Sequence, residues 1–141
     1  MDKNSKQYDI KEIYKVLIDR ANTYDHTKVI IKNELINIPI DSNALVLIKG
    51  GVRHFNNEVQ KSIDDYNNIE DGTIYTTILK DFGPKKDDNV QYQLSKIGFN
   101  DKREYAVVYE SDYTTSDLSH KSFIFLKKID GNWKIDTEIM E

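Results

Sequence analysis

The chain has 141 residues, 31% of them charged and 38% hydrophobic, which is enough for one domain with a real core and too apolar for a disordered chain. Its net charge of −4 argues against general nucleic-acid or anionic-membrane binding and suits a basic partner. With no cysteine, disulfides and Cys-based metal or nucleophile chemistry are excluded, and no window supplies the roughly 18 apolar residues of a membrane span.

Residues 1–7 are polar and read as a tail ahead of a single domain over 8–141. With Met1 as the natural start the chain reads as cytoplasmic. If Met1 stands where a secretion or lipoprotein signal was removed, it reads as an envelope or secreted protein. Tyr8 to Ala21 is the clearest helix: Ile10, Ile13, Tyr14, Leu17, Ile18 and Ala21 form one continuous apolar stripe. Asp9 is expected to cap it, with Glu12 completing a capping box and Tyr8 stapling to Ile13.

Asn22 to Thr27 reads as a loop and Lys28 to Ile38 as a strand, ended by Pro39. Ser42 to Ile48 is apolar and fits strand or helix, with Gly50-Gly51 breaking it. Asn56 to Ile69 predicts a second helix, capped by Asn56 or Asn57, with Val59, Ile63 and Tyr66 on one side and Gly72 ending it. Thr73 to Leu79 is β-branched and predicts a short strand, and Asp81 to Asn89 an exposed loop.

The C-terminal third reads as an antiparallel meander. Gln91 to Phe99 is a strand whose alternation breaks near Lys96, which implies a bulge. Asn100 to Arg103 is a turn, Glu104 to Glu110 a central strand, and Ser111 to His120 a polar loop. Lys121 to Ile129 and Asn132 to Ile139 flank Asp130-Gly131, the preferred two-residue hairpin turn. That register sets Leu126 against Ile135 and Ile124 against Thr137. It also opposes Lys127 and Lys134; a turn at Gly131-Asn132 would instead pair Lys127 with Asp136. In the Asp-Gly register Trp133, Ile135, Thr137 and Ile139 share one face, and Lys134, Asp136 and Glu138 the other.

Ser95-x-x-Gly98-Phe99-Asn100, Tyr105-Ala106-Val107-Val108-Tyr109 and Gly131-x-Trp133-Lys134-Ile135 resemble the C-terminal half of a group of small, uncharacterised bacterial proteins. Ile13-Tyr14-x-Val16-Leu17 and Val29-Ile30-Ile31 resemble that group's opening helix and strand. Where the group has a glycine-rich loop, this chain has Ser111 to His120. The matching motifs are strand and turn residues, so the resemblance implies a fold and transfers no functional residue. The closing strand is also similar to those of cystatin-like and nuclear-transport-factor-2-like sheets.

No catalytic constellation is legible, and no cofactor motif. Asp81-Phe82-Gly83 spells a kinase magnesium motif, without the glycine-rich loop or His-Arg-Asp that a kinase needs. His26, His54 and His120 are far apart, none at metal-ligand spacing, and read as surface residues. Asp64, Asp65, Glu70 and Asp71 read as a solvated helix face or as a docking surface for a basic protein. Asp112, Asp117 and His120, in the polar loop, are the other candidate partner contacts. Tyr92, Tyr105, Tyr109, Phe123, Phe125 and Trp133 fit a core, or the lining of a cavity between sheet and helix.

The expected architecture is α+β: an N-terminal helix and a second helix packed on a curved, mainly antiparallel sheet of about four to six strands. The expected function is non-enzymatic binding, with an immunity-type inhibitor of a basic partner as its specific form. The alternative is a pocket protein that binds a small molecule or acts as a small enzyme.

Overall fold

The computed structural model describes residues 2–25, 30–32, 34–82, 91–113 and 119–141. Within them lie helices α1 (Lys6–Asp25), α2 (Ser42–Gly51), α3 (Asn57–Asn68) and α4 (Thr73–Lys80), and strands β1 (Ile30–Ile31), β2 (Gln91–Phe99), β3 (Tyr105–Tyr113), β4 (Ser119–Ile129) and β5 (Asn132–Met140). The fold is α+β. The sheet runs in the order β1-β2-β3-β4-β5, antiparallel from β2 onward. β1 pairs with β2 in parallel, which the long crossover through α2, α3 and α4 permits.

Both faces of the sheet are covered. On one, the stripe of α1 and residues Tyr75, Ile78 and Leu79 of α4 bury Tyr92, Leu94, Ile97, Phe99, Val108, Ile124, Leu126 and Trp133. On the other, Ile48 of α2 and Val59, Ile63 and Tyr66 of α3 bury Val107, Tyr109, Phe123 and Phe125. The six aromatic residues considered as a cavity lining are therefore divided between two cores, Tyr92 and Trp133 in the first and Tyr105, Tyr109, Phe123 and Phe125 in the second.

Helix α1 starts earlier than its stripe suggests. Ser5 caps it, its Oγ accepting from Tyr8 N at 3.1 Å. The expected cap, Asp9, is inside the first turn and 1% exposed. Its carboxylate accepts from Trp133 Nε1 at 2.9 Å and pairs with Lys128 Nζ at 2.8 Å and Arg103 Nε at 3.0 Å. A carboxylate with three such partners inside the core is not free to cap, so the capping box is absent.

Among the described residues of the strand expected over 28–38, only Ile30 and Ile31 are strand. β1 is two residues long, after which Lys32 N and Ile36 N still donate to Tyr92 O and Leu94 O of β2. Positions 28, 29 and 33 lie outside the described residues. The ambiguous run from Ser42 is a helix, capped by Asp41 on Ala44 N at 2.8 Å, and Gly50-Gly51 form its last turn instead of breaking it. Asn56 caps α3 on Val59 N as expected.

The segment expected as a strand at Thr73–Leu79 is helix α4. Tyr75, Ile78 and Leu79 fall at i, i+3 and i+4 and are buried together, so packing overrides β-propensity. The threonine hydroxyls adapt: Thr76 and Thr77 Oγ1 donate to the carbonyls of Gly72 and Thr73 four residues back. Gly72 thus opens α4 and does not close α3, which ends at Asn68.

The Ser95-x-x-Gly98-Phe99-Asn100 motif has a structural reading at each residue. The bulge predicted near Lys96 lies between Leu94 and Ile97. There Ser95 Oγ accepts from Tyr109 N at 2.7 Å, Tyr14 OH donates to Ser95 O at 2.7 Å, and Tyr75 OH to Ile97 O at 3.0 Å. Gly98 admits α3, and Phe99 N donates to Asp65 Oδ2 at 2.8 Å. Asn100 Oδ1 accepts from Glu104 N and Tyr105 N across the turn into β3. Buried tyrosines here fill the core and also donate to backbone carbonyls at the bulge.

The closing hairpin turns on Asp130 (φ 53°) and Gly131 (φ 80°), as the Asp-Gly pair predicts. Leu126 stands opposite Ile135, and Lys127 opposite Lys134. The like charges part because Lys127 Nζ lies over the ring of Tyr105 on β3, 5.5 Å from its centroid. Beyond this point a bulge opens: Phe125 pairs with Thr137 and Ile124 with Glu138, so Asp136 is the extra residue. The expected Ile124–Thr137 pair does not form. The bulge reverses the facing of the rest of β5. Trp133 and Ile135 join the α1 core, Ile139 joins the α3 core, and Glu138 turns to the α1 side.

Candidate functional site

Reversal of β5 assembles a polar cluster at one end of the sheet, on the face covered by α1. Glu110 is its centre. It follows the apolar run of β3 and has a side chain 4% exposed. Arg20, on α1 just past Leu17, donates from Nη2 to Glu110 Oε1 at 2.5 Å and from Nη1 to Glu138 Oε2 at 3.1 Å. Tyr92 of β2 donates its hydroxyl to Glu110 Oε2 in a short hydrogen bond. From β4, Ser122 Oγ donates to Glu138 Oε1 at 2.9 Å and lies 3.3 Å from Glu110 Oε1. His120 Nε2 is 2.8 Å from Glu138 Oε1 and 3.7 Å from Glu110 Oε1.

Strand pairing explains the convergence. Glu110 is directly opposite Ser122 on β4, and Ser122 is two residues from both His120 and Ile124, the partner of Glu138. Residues two apart on a strand share a face.

Three groups of the cluster, Arg20, Tyr92 and Glu138, are tuned by their neighbours. Burial pulls the Arg20 guanidinium down, but Glu110 and Glu138 outweigh it and hold its pKa above the ordinary value. Burial first, then the charge of Glu110, raises the Tyr92 phenol well above its usual range, so it remains a donor. For Glu138, burial acts to raise the pKa, yet hydrogen bonds from His120 and Ser122 and the charge of Arg20 leave it lowered. A depressed carboxyl pKa contributes stability above its unfolded value, and the contribution disappears as pH falls through the folded value. The stability advantage of wild type over Glu138→Gln is therefore expected to shrink between about pH 6 and about pH 3, followed by urea denaturation at each pH. An advantage that grows as the pH falls would contradict this wiring.

The sequence candidates are placed as follows. Asp112 and His120 are on β3 and β4, directly opposite each other, so both strands extend into the stretch expected as a loop. Asp117 lies outside the described residues, as does His26. His54 is exposed. Asp64 is exposed and accepts from Gln60 Nε2 at 3.0 Å, and Glu70 is exposed. Asp65 is committed to Phe99 N, and Asp71 to the start of α4 through Thr73 N and Oγ1. Of the clustered residues, sequence reasoning named His120, as a partner contact, and Tyr92, as core or cavity lining. Arg20, Glu110, Ser122 and Glu138 were missed. The readable signal was Glu110, a charge directly after five strand-forming residues; the bulge that recruits Glu138 has none.

A second feature lies at the same end of β5 on the opposite face. Asp41, Asn43, Ala44 and Leu47 of the α2 region, with Phe123, Ile139, Met140 and Glu141, line a shallow groove of about 200 Å³. Leu47 and Met140, which both line it, are 59% and 60% exposed, and Val46, next to Leu47 on α2, is 71% exposed. The charged residues lining the groove, Asp41 and Glu141, are both acidic.

No family model matches the chain, and neither a curated protein nor a solved structure matches it. No helix among the described residues is long and apolar enough to cross a membrane.

Proposed function

We propose that the chain is a non-enzymatic binding protein that docks a basic partner through α2 and the end of β5, in the manner of an immunity-type inhibitor. The observation that carries this reading is the exposure of Leu47 and Met140 in a groove whose charged lining is acidic, with exposed Val46 next to Leu47 on α2. Apolar anchors surrounded by one sign of charge suit a partner with an apolar contact and a basic rim. Supporting it, the aromatic residues that would have lined an internal ligand pocket are packed into two separate cores. The chain's acidity is consistent with faster encounter with a cationic protein. The same reading keeps the suspected kinship with small bacterial proteins as a proposal about origin.

The test is affinity capture from an extract of the source cell, run in parallel with wild type and Leu47→Asp. Leu47 is exposed, so the variant is expected to keep the wild-type melting temperature. A basic protein retained by wild type, released by raised salt and lost with Leu47→Asp is the expected result. A partner held equally by both forms, or no partner at all, would contradict the assignment.

A further inference from the structure

The docking surface leaves the polar cluster on the other face without a task. We propose that Glu110 Oε1, His120 Nε2 and Glu138 Oε1 form a binding site for one divalent transition cation of the zinc type. One ligand atom from each of the three residues lies within 4.8 Å of those of the other two. His120 Nε2 is 2.8 Å from the Glu138 oxygen and 3.7 Å from that of Glu110. Ligands about 2.0–2.2 Å from a shared tetrahedral ion stand roughly 3.3–3.6 Å apart, so small side-chain shifts suffice.

The donors are of mixed type, not an acidic patch. One imidazole nitrogen with two carboxylate oxygens suits zinc and its neighbours, whereas magnesium prefers an all-oxygen shell. They project from three adjacent hydrogen-bonded strands, which fixes their spacing. Glu110 is buried, while His120 and Glu138 have side chains 36% and 28% exposed. An ion can thus enter from the His120 side and keep a water as its fourth ligand.

The oxygens left over are already held. Tyr92 donates to Glu110 Oε2, and Arg20 Nη1 to Glu138 Oε2, the partners that an outer shell supplies to ligating carboxylates. Two contacts compete with the ion: Arg20 Nη2 on Glu110 Oε1, and Ser122 Oγ, 2.9 Å from Glu138 Oε1 and 3.3 Å from Glu110 Oε1. Binding turns both donors away while Arg20 keeps Glu138 Oε2, at a cost to affinity.

Zinc ion alone, titrated calorimetrically into tag-free protein at about pH 7, tests this. One ion per chain is expected, with affinity reduced about tenfold or more in His120→Ala and in Glu138→Gln, and unchanged in His54→Ala. Both rim positions are partly exposed, and melting curves without metal confirm that the variants fold. Absence of saturable binding, binding that survives both substitutions, loss of binding in His54→Ala, or equal binding of magnesium would each overturn the site.

Discussion

Gly98→Ala is expected to cost about 3 kcal/mol or more of folding stability, read as a lowered urea midpoint. A Cβ at Gly98 would fall inside contact distance of Ser62 O and only 2.6 Å from Tyr66 N, both backbone atoms of α3. Backbone in the middle of a packed helix cannot turn aside as a flexible side-chain tip can. α3 would have to lift from β2, loosening Val59, Ile63 and Tyr66 over the second core. The Asp65 bond to Phe99 N, one residue further on, would stretch with it. Gly50→Ala is the matched control. It meets nothing within 4 Å, so it is expected to be neutral or slightly stabilising. Equal, small effects at the two glycines would mean that α3 does not sit where described.

The second large effect is expected from Asp9→Ala, at about 3 kcal/mol. The substitution removes the acceptor of Trp133 Nε1 and the counter-charge of Lys128 and Arg103 together. The two cations are 25% and 34% exposed, so water recovers part of the loss, and the estimate sits at the low end for breaking a buried ion pair. Asp9→Asn keeps an acceptor for the indole and loses only the charge, so it is expected to fall between wild type and alanine. Chemical denaturation of the three forms in one buffer orders them. If Asp9→Ala were as stable as wild type, the carboxylate would not be the buried partner of Trp133, Lys128 and Arg103.

These two positions illustrate what could be read from the chain. Periodicity and turn chemistry located α1, α3 and the four-stranded meander, because a long apolar stripe and a two-residue Asp-Gly turn each admit few backbones. The break in alternation near Lys96 foretold the β2 bulge for the same reason. Failures arose where long-range packing decided. Thr73–Lys80 has strand-like composition, and only the joint burial of Tyr75, Ile78 and Leu79 makes it a helix. Asp9 has the identity and position of a cap, and only Trp133, Lys128 and Arg103, far along the chain, draw it inward.

The polar cluster was illegible for a related reason. Its members come from α1 and four strands, so no spacing in the sequence links them. Glu138 belongs to the wet face of β5 in any unbroken alternation. One extra residue at Asp136 reverses that assignment, and nothing in Lys134-Ile135-Asp136-Thr137 marks the bulge. His120 was visible as a candidate because it ends the polar run from Ser111, but its place on a strand opposite Asp112 was not.

Whether Glu138 faces Arg20 decides whether the end of the sheet is a site at all. A double-mutant cycle between Arg20→Met and Glu138→Gln, read by urea denaturation at neutral pH, measures this directly. The 3.1 Å ion pair predicts a favourable coupling of about 1 kcal/mol between the two positions. Additive effects, with no coupling, would place Glu138 on the opposite face of β5 and dissolve the cluster.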